Sequence, residues 1–235
     1  MLIFSWNCCL SPWSINRRKR LPKIISAIVA ISPDIVCLQE VFFKSDADSV
    51  MYELKAYGFL DSFYFKDLLI ISKIKLSEKR GWIFRKQGNI FSLAMLDVLY
   101  GKAFQAVQFL NKDEHLSLIN AHLLSAYAND SRKYQDVRED QSREIREVSE
   151  KLLGDKKIIA GDFNFQPATS PYKVLTESNF VDTTTKENTT ATRHLDFIFL
   201  KNFPKGNARI ATFDNSLSDH AALGYFTLRI CRQSQ

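Results

Sequence analysis

Short apolar runs that end in polar residues recur along this chain, and they predict the strands of a buried β-sheet. The run at 158–161 reads Ile-Ile-Ala-Gly, and it is followed by Asp162 and, two positions later, by Asn164. Residues i and i+2 of a strand point to the same side, so both polar side chains are expected on one face. A turn is the alternative, because Gly, Asp, Asn and the nearby Pro167 are common turn residues.

The same pattern covers most of the chain and alternates with helical periodicity. Further strands are predicted at 2–6, 35–38, 63–65, 68–72, 83–84, 91–99, 103–109, 116–121, 195–200, 208–213 and 221–230. Apolar residues spaced three or four apart predict helices at 21–29, 45–57, 131–153 and 170–178. Helices alternate with strands near the start, whereas antiparallel-looking strands fill the middle. This mixture predicts an α/β domain and does not fit a purely parallel doubly wound sheet.

Composition indicates a large core and no membrane-spanning helix. The 235 residues predict a single domain over 1–235, and 46% of them are hydrophobic, with 18 Phe. No uncharged apolar stretch of about 18 residues occurs, so we predict no transmembrane helix. If Met1 is the natural start, the lack of a basic leader excludes a signal peptide. The four cysteines include no C-x-x-C pair and are expected as reduced thiols. We therefore expect a cytoplasmic monomer.

The charge of the chain favours a polyanionic partner. Its net charge is +6, which suits nucleic acid or an acidic membrane surface. The run Arg17-Arg18-Lys19-Arg20 lies at the start of the first predicted helix and follows the loop that begins after Asn7. Such a run is either a solvated charged surface or a phosphate-binding patch. Its position after Asn7 gives weight to the phosphate-binding interpretation.

Polar side chains with catalytic or metal-binding chemistry recur where apolar runs end. They are Asn7, Glu40, His122, Asp162, Asn164, Asp219 and His220, together with Asp196 near the start of a run of its own. In α/β sheets, ligands bind at strand ends. The oxygen-rich set of Asn7, Glu40 and Asp219 has the ligand chemistry of Mg²⁺, and a histidine beside a carboxylate has that of a general base. Each residue alone also has a structural interpretation, as a surface carboxylate, a core histidine or a turn cap.

Six short motifs resemble those of the endonuclease/exonuclease/phosphatase superfamily, in that superfamily's order. They are Ser5-Trp6-Asn7, Leu38-Gln39-Glu40-Val41, Asn120-Ala121-His122-Leu123, Gly161-Asp162-Phe163-Asn164, Leu195-Asp196-Phe197-Ile198 and Leu217-Ser218-Asp219-His220. One tetrapeptide is weak, but six in order over 5–220 are a strong signal. The resemblance implies a deoxyribonuclease I-like α/β fold, a four-layer sandwich of two mixed β-sheets packed face to face and flanked by helices. It also implies hydrolysis of phosphate esters with Mg²⁺, or possible use of Mn²⁺.

The resemblance assigns a metal site to one group of these residues. Glu40 would be the main ligand of the metal ion, with Asn7 and Asp219 close to it. Mg²⁺ polarises a phosphate and neutralises the charge that develops during hydrolysis, which fits these carboxylate and amide side chains. An ordinary surface position for Glu40 would contradict this assignment.

The resemblance also assigns the catalytic groups. His220 would be the general base or the imidazole that contacts phosphate, oriented by Asp196. Asp162 would orient or deprotonate the attacking water. Asn164 and His122 would hold the phosphoryl oxygens, which carry more charge in the transition state.

The substrate class remains open between two kinds of phosphodiester, and charge favours nucleic acid. The predicted substrate contacts are Arg17, Arg18, Arg20 and Arg138, with Lys19, Arg132 and Lys133 as further contacts to a nucleic-acid backbone. Anionic phospholipid is the alternative partner, because it attracts the same charges. A third possibility is a non-catalytic binding module of the same fold.

Comparison with individual branches of the superfamily separates these alternatives only in part. Abasic-site endonucleases commonly have Tyr where this chain has His122, whereas the His-Leu-x-Ser stretch ending at Ser125 is similar to that of tyrosyl-DNA phosphodiesterase 2. The spacing of Tyr127, Tyr134, Arg138 and Gln141 after His122 is similar to that of neutral sphingomyelinases. The segment Lys66-Asp67 departs from the pattern, since relatives often carry Gly there.

Overall fold

Two six-stranded β-sheets form the centre of the protein, and helices cover their outer faces. The computed structural model describes residues 1–89, 100–111, 114–126, 133–184, 187–204, 208–212 and 214–226. The strands are β1 (Leu2–Leu10), β2 (Ile35–Val41), β3 (Asp61–Phe65), β4 (Leu68–Ser72), β5 (Leu76–Ile83), β6 (Ala103–Asn111), β7 (Glu114–His122), β8 (Lys156–Asp162), β9 (Val181–Asp182), β10 (Asp196–Lys201), β11 (Ala208–Thr212) and β12 (Ala222–Phe226). The helices are α1 (Arg17–Ile31), α2 (Lys44–Lys55), α3 (Gln135–Lys151) and α4 (Ser170–Thr176).

Both sheets are mixed. The first has the order β11-β12-β1-β2-β4-β3 and the second the order β5-β6-β7-β8-β10-β9. In each sheet one central pair is parallel, β1 with β2 and β7 with β8, and the other pairs are antiparallel. Among the described residues, no helix has the length and apolar character needed to cross a membrane.

Three buried clusters separate the layers. Ile3 and Ile70 of the first sheet pack with Val107 and Ile158 of the second, so the two sheets meet face to face. The outer face of the first sheet packs on α1 and α2, and that of the second on α3 and α4. The predicted four-layer α/β sandwich is confirmed. Because both faces of the central strands are covered, those strands are continuous apolar runs and not alternating ones.

Most predicted elements are present, with differences at their ends. The strand predicted at 83–84 is the end of β5, which begins at Leu76 and is mostly exposed along its charged middle. That segment is the edge strand of the second sheet, where charged residues discourage further strand pairing. Because these residues are charged, the segment lacks the apolar run from which a strand is predicted. Helix α1 begins at Arg17, so the basic run forms its first turn. The strand predicted at 91–99 lies outside the described residues, and the one at 221–230 is described only to Phe226.

The thiol prediction is confirmed for the cysteines that the structure describes. Cys8, Cys9 and Cys37 are free. Cys231 lies outside the described residues.

The two parallel pairs bring the candidate residues to one edge of the sandwich. Residue Asn7 pairs with Gln39 next to Glu40, and His122 pairs with Asp162. Strand β10 runs antiparallel to β8 and starts at the same edge, with Asp196 opposite Asp162. The carboxyl ends of β1, β2, β7 and β8 and the start of β10 therefore meet.

Gly161 is required by the close approach of β7 and β8. Its φ angle is 145°, and a Cβ atom there would lie 2.0 Å from the carbonyl oxygen of Ala121. Gly161→Ala is expected to lower the free energy of unfolding by more than about 2 kcal/mol, measured by urea denaturation, because clash and backbone strain add. The control is Gly58→Ala, where φ is 84° and nothing lies within 4 Å. That change should cost about 1 kcal/mol. Equal losses would show that β7 and β8 are not tightly apposed at Gly161.

Candidate active site

The Asp162 carboxylate lies at the centre of the converging strand ends. Its Oδ2 atom accepts a hydrogen bond from Asn7 Nδ2 at 3.0 Å and lies 3.7 Å from His122 Nε2 and 3.8 Å from His220 Nε2. Its Oδ1 atom accepts from the backbone N–H of Asn164 at 3.0 Å. Burial disfavours the charged form, but the two histidines and Asn7 outweigh it and hold the pKa of Asp162 below its usual value. The site therefore contains a buried, ionised carboxylate.

His220 forms a buried dyad with Asp196. Its Nδ1 atom lies 2.8 Å from Asp196 Oδ2, which directs Nε2 towards Asp162. The backbone carbonyl of His220 accepts from the indole N–H of Trp6 at 2.9 Å, which fixes the loop before β12. Burial favours the neutral ring, but the carboxylates of Asp196 and Asp162 raise the pKa of His220 to about 10. This carboxylate–imidazole arrangement selects one orientation of the ring, as in hydrolytic triads.

Asn7 connects Glu40 to this centre. Its Nδ2 atom donates to Glu40 Oε1 at 3.1 Å and to Asp162, while its Oδ1 atom accepts from the backbone N–H of Cys9 at 3.0 Å. Glu40 has a φ angle of 59°, an unusual conformation for a glutamate. Such strain is concentrated at functional sites. Three successive side-chain contacts thus link Glu40 to His220, and the two do not lie on opposite flanks.

Asp219 lies on the exposed side of this group. It precedes His220, and its charge acts on both His220 and the Cys9 thiol. Together with Glu40 and Asn7 it forms the predicted metal-binding set. The structure places these three at one edge, and their role as ligands stays a prediction.

Two sets of side chains in the described part of the chain could hold a metal ion. Asp162, Asp196 and His220 have ligand atoms that all lie within 4.8 Å of one another. A metal ion bound through His220 Nδ1 would displace the hydrogen bond between that atom and Asp196. The predicted set of Glu40, Asn7 and Asp219 is richer in oxygen, and Asn7 Nδ2 donates to both Glu40 and the neighbouring Asp162. A cation offsets the repulsion between neighbouring carboxylates, and Mg²⁺ prefers oxygen ligands, so the Glu40 set fits Mg²⁺ better.

A second histidine–aspartate pair flanks Asp162 on its other side. His122 Nδ1 lies 2.6 Å from Asp67 Oδ2, and His122 Nε2 lies 2.8 Å from Lys102 Nζ. Burial and the charge of Lys102 favour the neutral ring, but Asp67 and Asp162 outweigh them and raise the pKa of His122 above its usual value. Lys102 is buried, and its charge also acts on Asp162. A cationic cluster of His122 and Lys102 therefore faces the central carboxylate.

Lys102 and Asp67 were missed as site residues by the sequence predictions. Asp67 was visible as the departure from Gly before β4, but its partner His122 is 55 residues away. Lys102 follows Gly101 and precedes β6, and the register puts its neighbour Ala103 opposite His122. Only the pairing of β6 with β7 identifies Lys102 as a neighbour of His122.

Asn164 is placed beside the predicted catalytic groups, with its amide already engaged. Its Nδ2 atom donates to the carbonyl of Leu123 at 3.1 Å, and its backbone N–H donates to Asp162. The φ angle of Asn164 is 52°, so the chain turns sharply directly after β8. The predicted contact between Asn164 and phosphate stays a prediction.

The predicted substrate contacts Arg17 and Arg20 are engaged in internal interactions, and this is a correction. Arg17 pairs with Asp46 and lies 4.0 Å over the ring of Phe43. Arg20 donates to the backbone carbonyls of Cys8, Cys9 and Leu217, which ties the end of β1 to the loop before Asp219. The reason is geometric: the first turn of α1 packs against the end of β1, so its arginines satisfy buried carbonyls and a carboxylate.

Arg138 is also an internal residue, whereas Arg18 is exposed. The guanidinium of Arg138 is buried and donates to the carbonyl of Leu124 at 3.2 Å. Its predicted contact with substrate is therefore not supported, because α3 packs this side chain against the β7 end. Arg18 and Lys19 are exposed on α1 and remain candidates for surface contacts. Arg132 and Tyr127 lie outside the described residues.

The family is decided by a match to a family model over residues 4–220, described as the endonuclease/exonuclease/phosphatase family. The chain belongs to this family. Members of it hydrolyse phosphoric esters. The predicted resemblance and its deoxyribonuclease I-like fold are thereby confirmed. The match also spans all six motifs on which the resemblance was based.

The proteins that are similar to this chain include one curated relative and two solved structures. A putative neutral sphingomyelinase of Drosophila melanogaster is 29% identical over 189 residues, which are 74% of this chain and 42% of the fly protein. The chain thus spans less than half of that relative. A beta toxin mutant of Staphylococcus aureus with bound magnesium ions matches with a TM-score of 0.80 and 18% identity, over 97% of this chain and 99% of the toxin. Sphingomyelinase C from Streptomyces griseocarneus matches with a TM-score of 0.78 and 16% identity, over 96% and 98%. The two structural matches show a shared fold.

The His220–Asp196 dyad predicts an unusual titration in metal-free protein. We expect the His220 ring to stay protonated well above pH 6.5 and to titrate near its raised pKa of about 10. Because the folded pKa exceeds the usual value, this proton stabilises the fold fully below pH 6.5 and progressively less as the pH rises towards 10. NMR titration of the imidazole measures the pKa directly.

Asp196→Asn provides the matched comparison for that titration. It keeps the shape of the side chain but removes the charge, so the pKa of His220 should fall towards 6.5. A His220 ring that titrates below its usual value in the unsubstituted protein would contradict the dyad.

Proposed function

We propose that this protein is a Mg²⁺-dependent phosphodiesterase that uses water as the nucleophile. One observation carries the proposal: a buried, ionised Asp162 lies between two imidazoles, His122 and His220, one of which is held by Asp196. General bases, hydrogen-bond donors and an acidic metal-binding set on one edge are the groups that hydrolysis of a phosphate ester needs.

The metal would be held by Glu40, with Asn7 and Asp219 beside it. When bound, Mg²⁺ supplies positive charge that offsets the charge developing on the phosphate. Asn7 contributes by donating to both Glu40 and Asp162, which fixes the two carboxylates relative to each other. Mn²⁺ has similar ligand preferences and is expected to substitute.

The remaining residues orient water and phosphate. Asp162 accepts hydrogen bonds through both oxygens and is placed to orient the attacking water. His220, held by Asp196, contacts a phosphoryl oxygen as the protonated ring that its raised pKa implies, or takes the proton from water where a bound cation lowers that pKa. His122 and Lys102 lie on the opposite side of Asp162 and supply positive charge for the phosphoryl oxygens.

For the substrate class, we propose a phospholipid head group, attacked as by a phospholipase C. Trp13 and Tyr100 are 61% and 43% exposed, and their rings lie 6.1 Å apart. The ring of Phe42 lies 5.1 Å from that of Tyr100. Trp13 follows β1, Phe42 follows Glu40 by two residues and Tyr100 precedes Lys102 by two, so each ring is carried by a segment that also carries a site residue. Tryptophan and tyrosine are favoured where protein meets a lipid surface. Two of the similar proteins, the Drosophila melanogaster relative and the Streptomyces griseocarneus enzyme, are named as sphingomyelinases, which agrees with this choice.

Nucleic acid is the second candidate, favoured by the net charge of +6. It loses support because Arg17, Arg20 and Arg138 are engaged inside the protein. Exposed Arg18 and Lys19 remain for backbone contacts. The same exposed rings that suit a lipid surface can also stack on bases, so substrates must be compared directly.

Removal of the metal-binding or dyad groups should abolish hydrolysis of a soluble diester, bis(4-nitrophenyl) phosphate. Glu40→Gln and His220→Ala are each expected to lower kcat by about 10³-fold or more, since each removes a group that acts in the transition state. EDTA should abolish activity, and Mg²⁺ should restore it. Circular dichroism checks that both variants stay folded. Full activity in either variant, or indifference to EDTA, would refute the mechanism.

Glu40→Gln and Asp196→Asn together separate the two possible metal sites. Titration with Mn²⁺, followed by electron paramagnetic resonance, should show weakened binding in Glu40→Gln and near-normal binding in Asp196→Asn. The reverse result would place the ion on Asp162, Asp196 and His220.

A substrate panel distinguishes phospholipid from nucleic acid. With Mg²⁺, we expect hydrolysis of sphingomyelin in mixed micelles and little cleavage of plasmid, single-stranded DNA or RNA. Trp13→Ala should lower activity on micelles by about 10-fold while leaving the soluble diester unaffected, because the ring contacts the lipid surface and not the reacting phosphate. Tyr52→Ala, a ring on α2 that is 79% exposed, is the control. Cleavage of DNA but not of sphingomyelin would reverse the assignment.

A further inference from the structure

The backbone of Lys102 is held by the side-chain amide of Gln87, which makes the hydrogen bonds that a neighbouring strand would otherwise make. Regular pairing of β5 with β6 ends where Ile83 lies opposite Ala103, the residue that directly follows Lys102 in the sequence. Beyond that point, the side-chain amide of Gln87 makes hydrogen bonds to the backbone of Lys102. Its Nε2 atom donates to the carbonyl of Lys102 at 2.9 Å, and its Oε1 atom accepts the N–H of Lys102 at 3.0 Å. One side chain thus holds both backbone groups of Lys102, as a paired residue in a β-ladder would.

Gln87 is itself fixed on the strand that precedes it. Its Nε2 atom also donates to the carbonyl of Phe84 at 2.8 Å, directly after β5. The backbone N–H of Phe84 donates to the carbonyl of Lys102 at 3.1 Å. The backbone of Lys102 is therefore fixed, and its side chain extends so that the ammonium lies 2.8 Å from His122 Nε2.

A second glutamine holds the other side of this contact. The buried Gln141 of α3 accepts the N–H of Leu124 through Oε1 at 3.0 Å, and its Nε2 atom donates to the carbonyl of Lys86 at 3.0 Å. Leu124 follows His122 by two residues, and Lys86 precedes Gln87. The two glutamines thus close a ring that runs from His122 through Leu124, Gln141, Lys86 and Gln87 to Lys102 and back to His122.

We infer that Gln87 and Gln141 are positioning residues, which set the contact between Lys102 and His122 and thereby the positive charge presented to the phosphate. The ammonium of Lys102 lies 2.8 Å from Nε2 and 3.3 Å from Nδ1 of His122, so its position sets the electrostatic environment of both ring nitrogens. Neither glutamine touches the reacting groups described above. This inference rests on the proposed function for its activity readout only.

Gln87→Ala tests the inference, because Gln87 is only half buried and its loss should not unfold the protein. We expect kcat for bis(4-nitrophenyl) phosphate with Mg²⁺ to fall by about 10- to 100-fold, the effect typical of groups that orient catalytic ligands. The KM should change little. The matched control is Asn202→Ala, which removes an amide that donates to the Asp155 carbonyl at 2.9 Å near the opposite end of β10. It should leave kcat unchanged.

A double-mutant cycle separates positioning from general support of the fold. If Gln87 acts through Lys102, then Gln87→Ala should cause no further loss in a Lys102→Met background. The same fold-loss in both backgrounds, or unchanged kcat in Gln87→Ala alone, would overturn the inference.

A spectroscopic readout keeps the test independent of activity. The ¹⁵N chemical shifts of the His122 ring report which nitrogen is protonated, and they should change in Gln87→Ala and Lys102→Met but not in Asn202→Ala. Unchanged His122 shifts in Gln87→Ala would refute positioning. If the unsubstituted protein hydrolyses no diester, the proposed function fails, and the His122 spectra still decide the inference.

Discussion

A buried, negatively charged carboxylate at Asp162 is the constraint around which this protein is built. Removal of such a group from water costs several kcal/mol unless donors and positive charges surround it. Here the compensation comes from Asn7 on β1, His122 on β7 and His220 before β12, and from the backbone N–H of Asn164. Those partners come from both sheets. The site therefore holds the sandwich together at this edge, and the sandwich in turn keeps the site in place.

The local geometry at this edge is strained, and the surrounding structure stabilises it. Glu40 and Asn164 both have positive φ angles, and Gly161 stands where no Cβ atom would fit. Conformations of this kind cost about 1–3 kcal/mol each and persist only when neighbours enforce them. The enforcing contacts are visible: Arg20 ties β1 to the loop before Asp219, and Trp6 holds the His220 backbone. Part of the stabilising free energy of these contacts therefore offsets the strain that the shape of the site requires.

The arginines show how location changes the meaning of charge. A basic run at the start of α1 suggested phosphate binding, but Arg17 and Arg20 are engaged by Asp46 and by backbone carbonyls. The positive charge beside Asp162 comes instead from His220, His122 and Lys102, all buried. A charge in a buried site interacts more strongly with a nearby anion than one in solvent, because water screens it less. Net charge alone could not locate it.

The sequence by itself determined the fold class and most of the residues that converge at this edge of the sandwich. Buried strands that are covered on both faces read as apolar runs, and the polar residue after each run marks the strand end, so Glu40, His122 and Asp162 were predicted from local patterns. The tertiary structure alone decided which side chains meet. The contact of Asp67 and Lys102 with His122 depends on strand register, and the burial of Arg138 depends on how α3 packs. These contacts join residues far apart in the chain, and no local pattern encodes the distance between them.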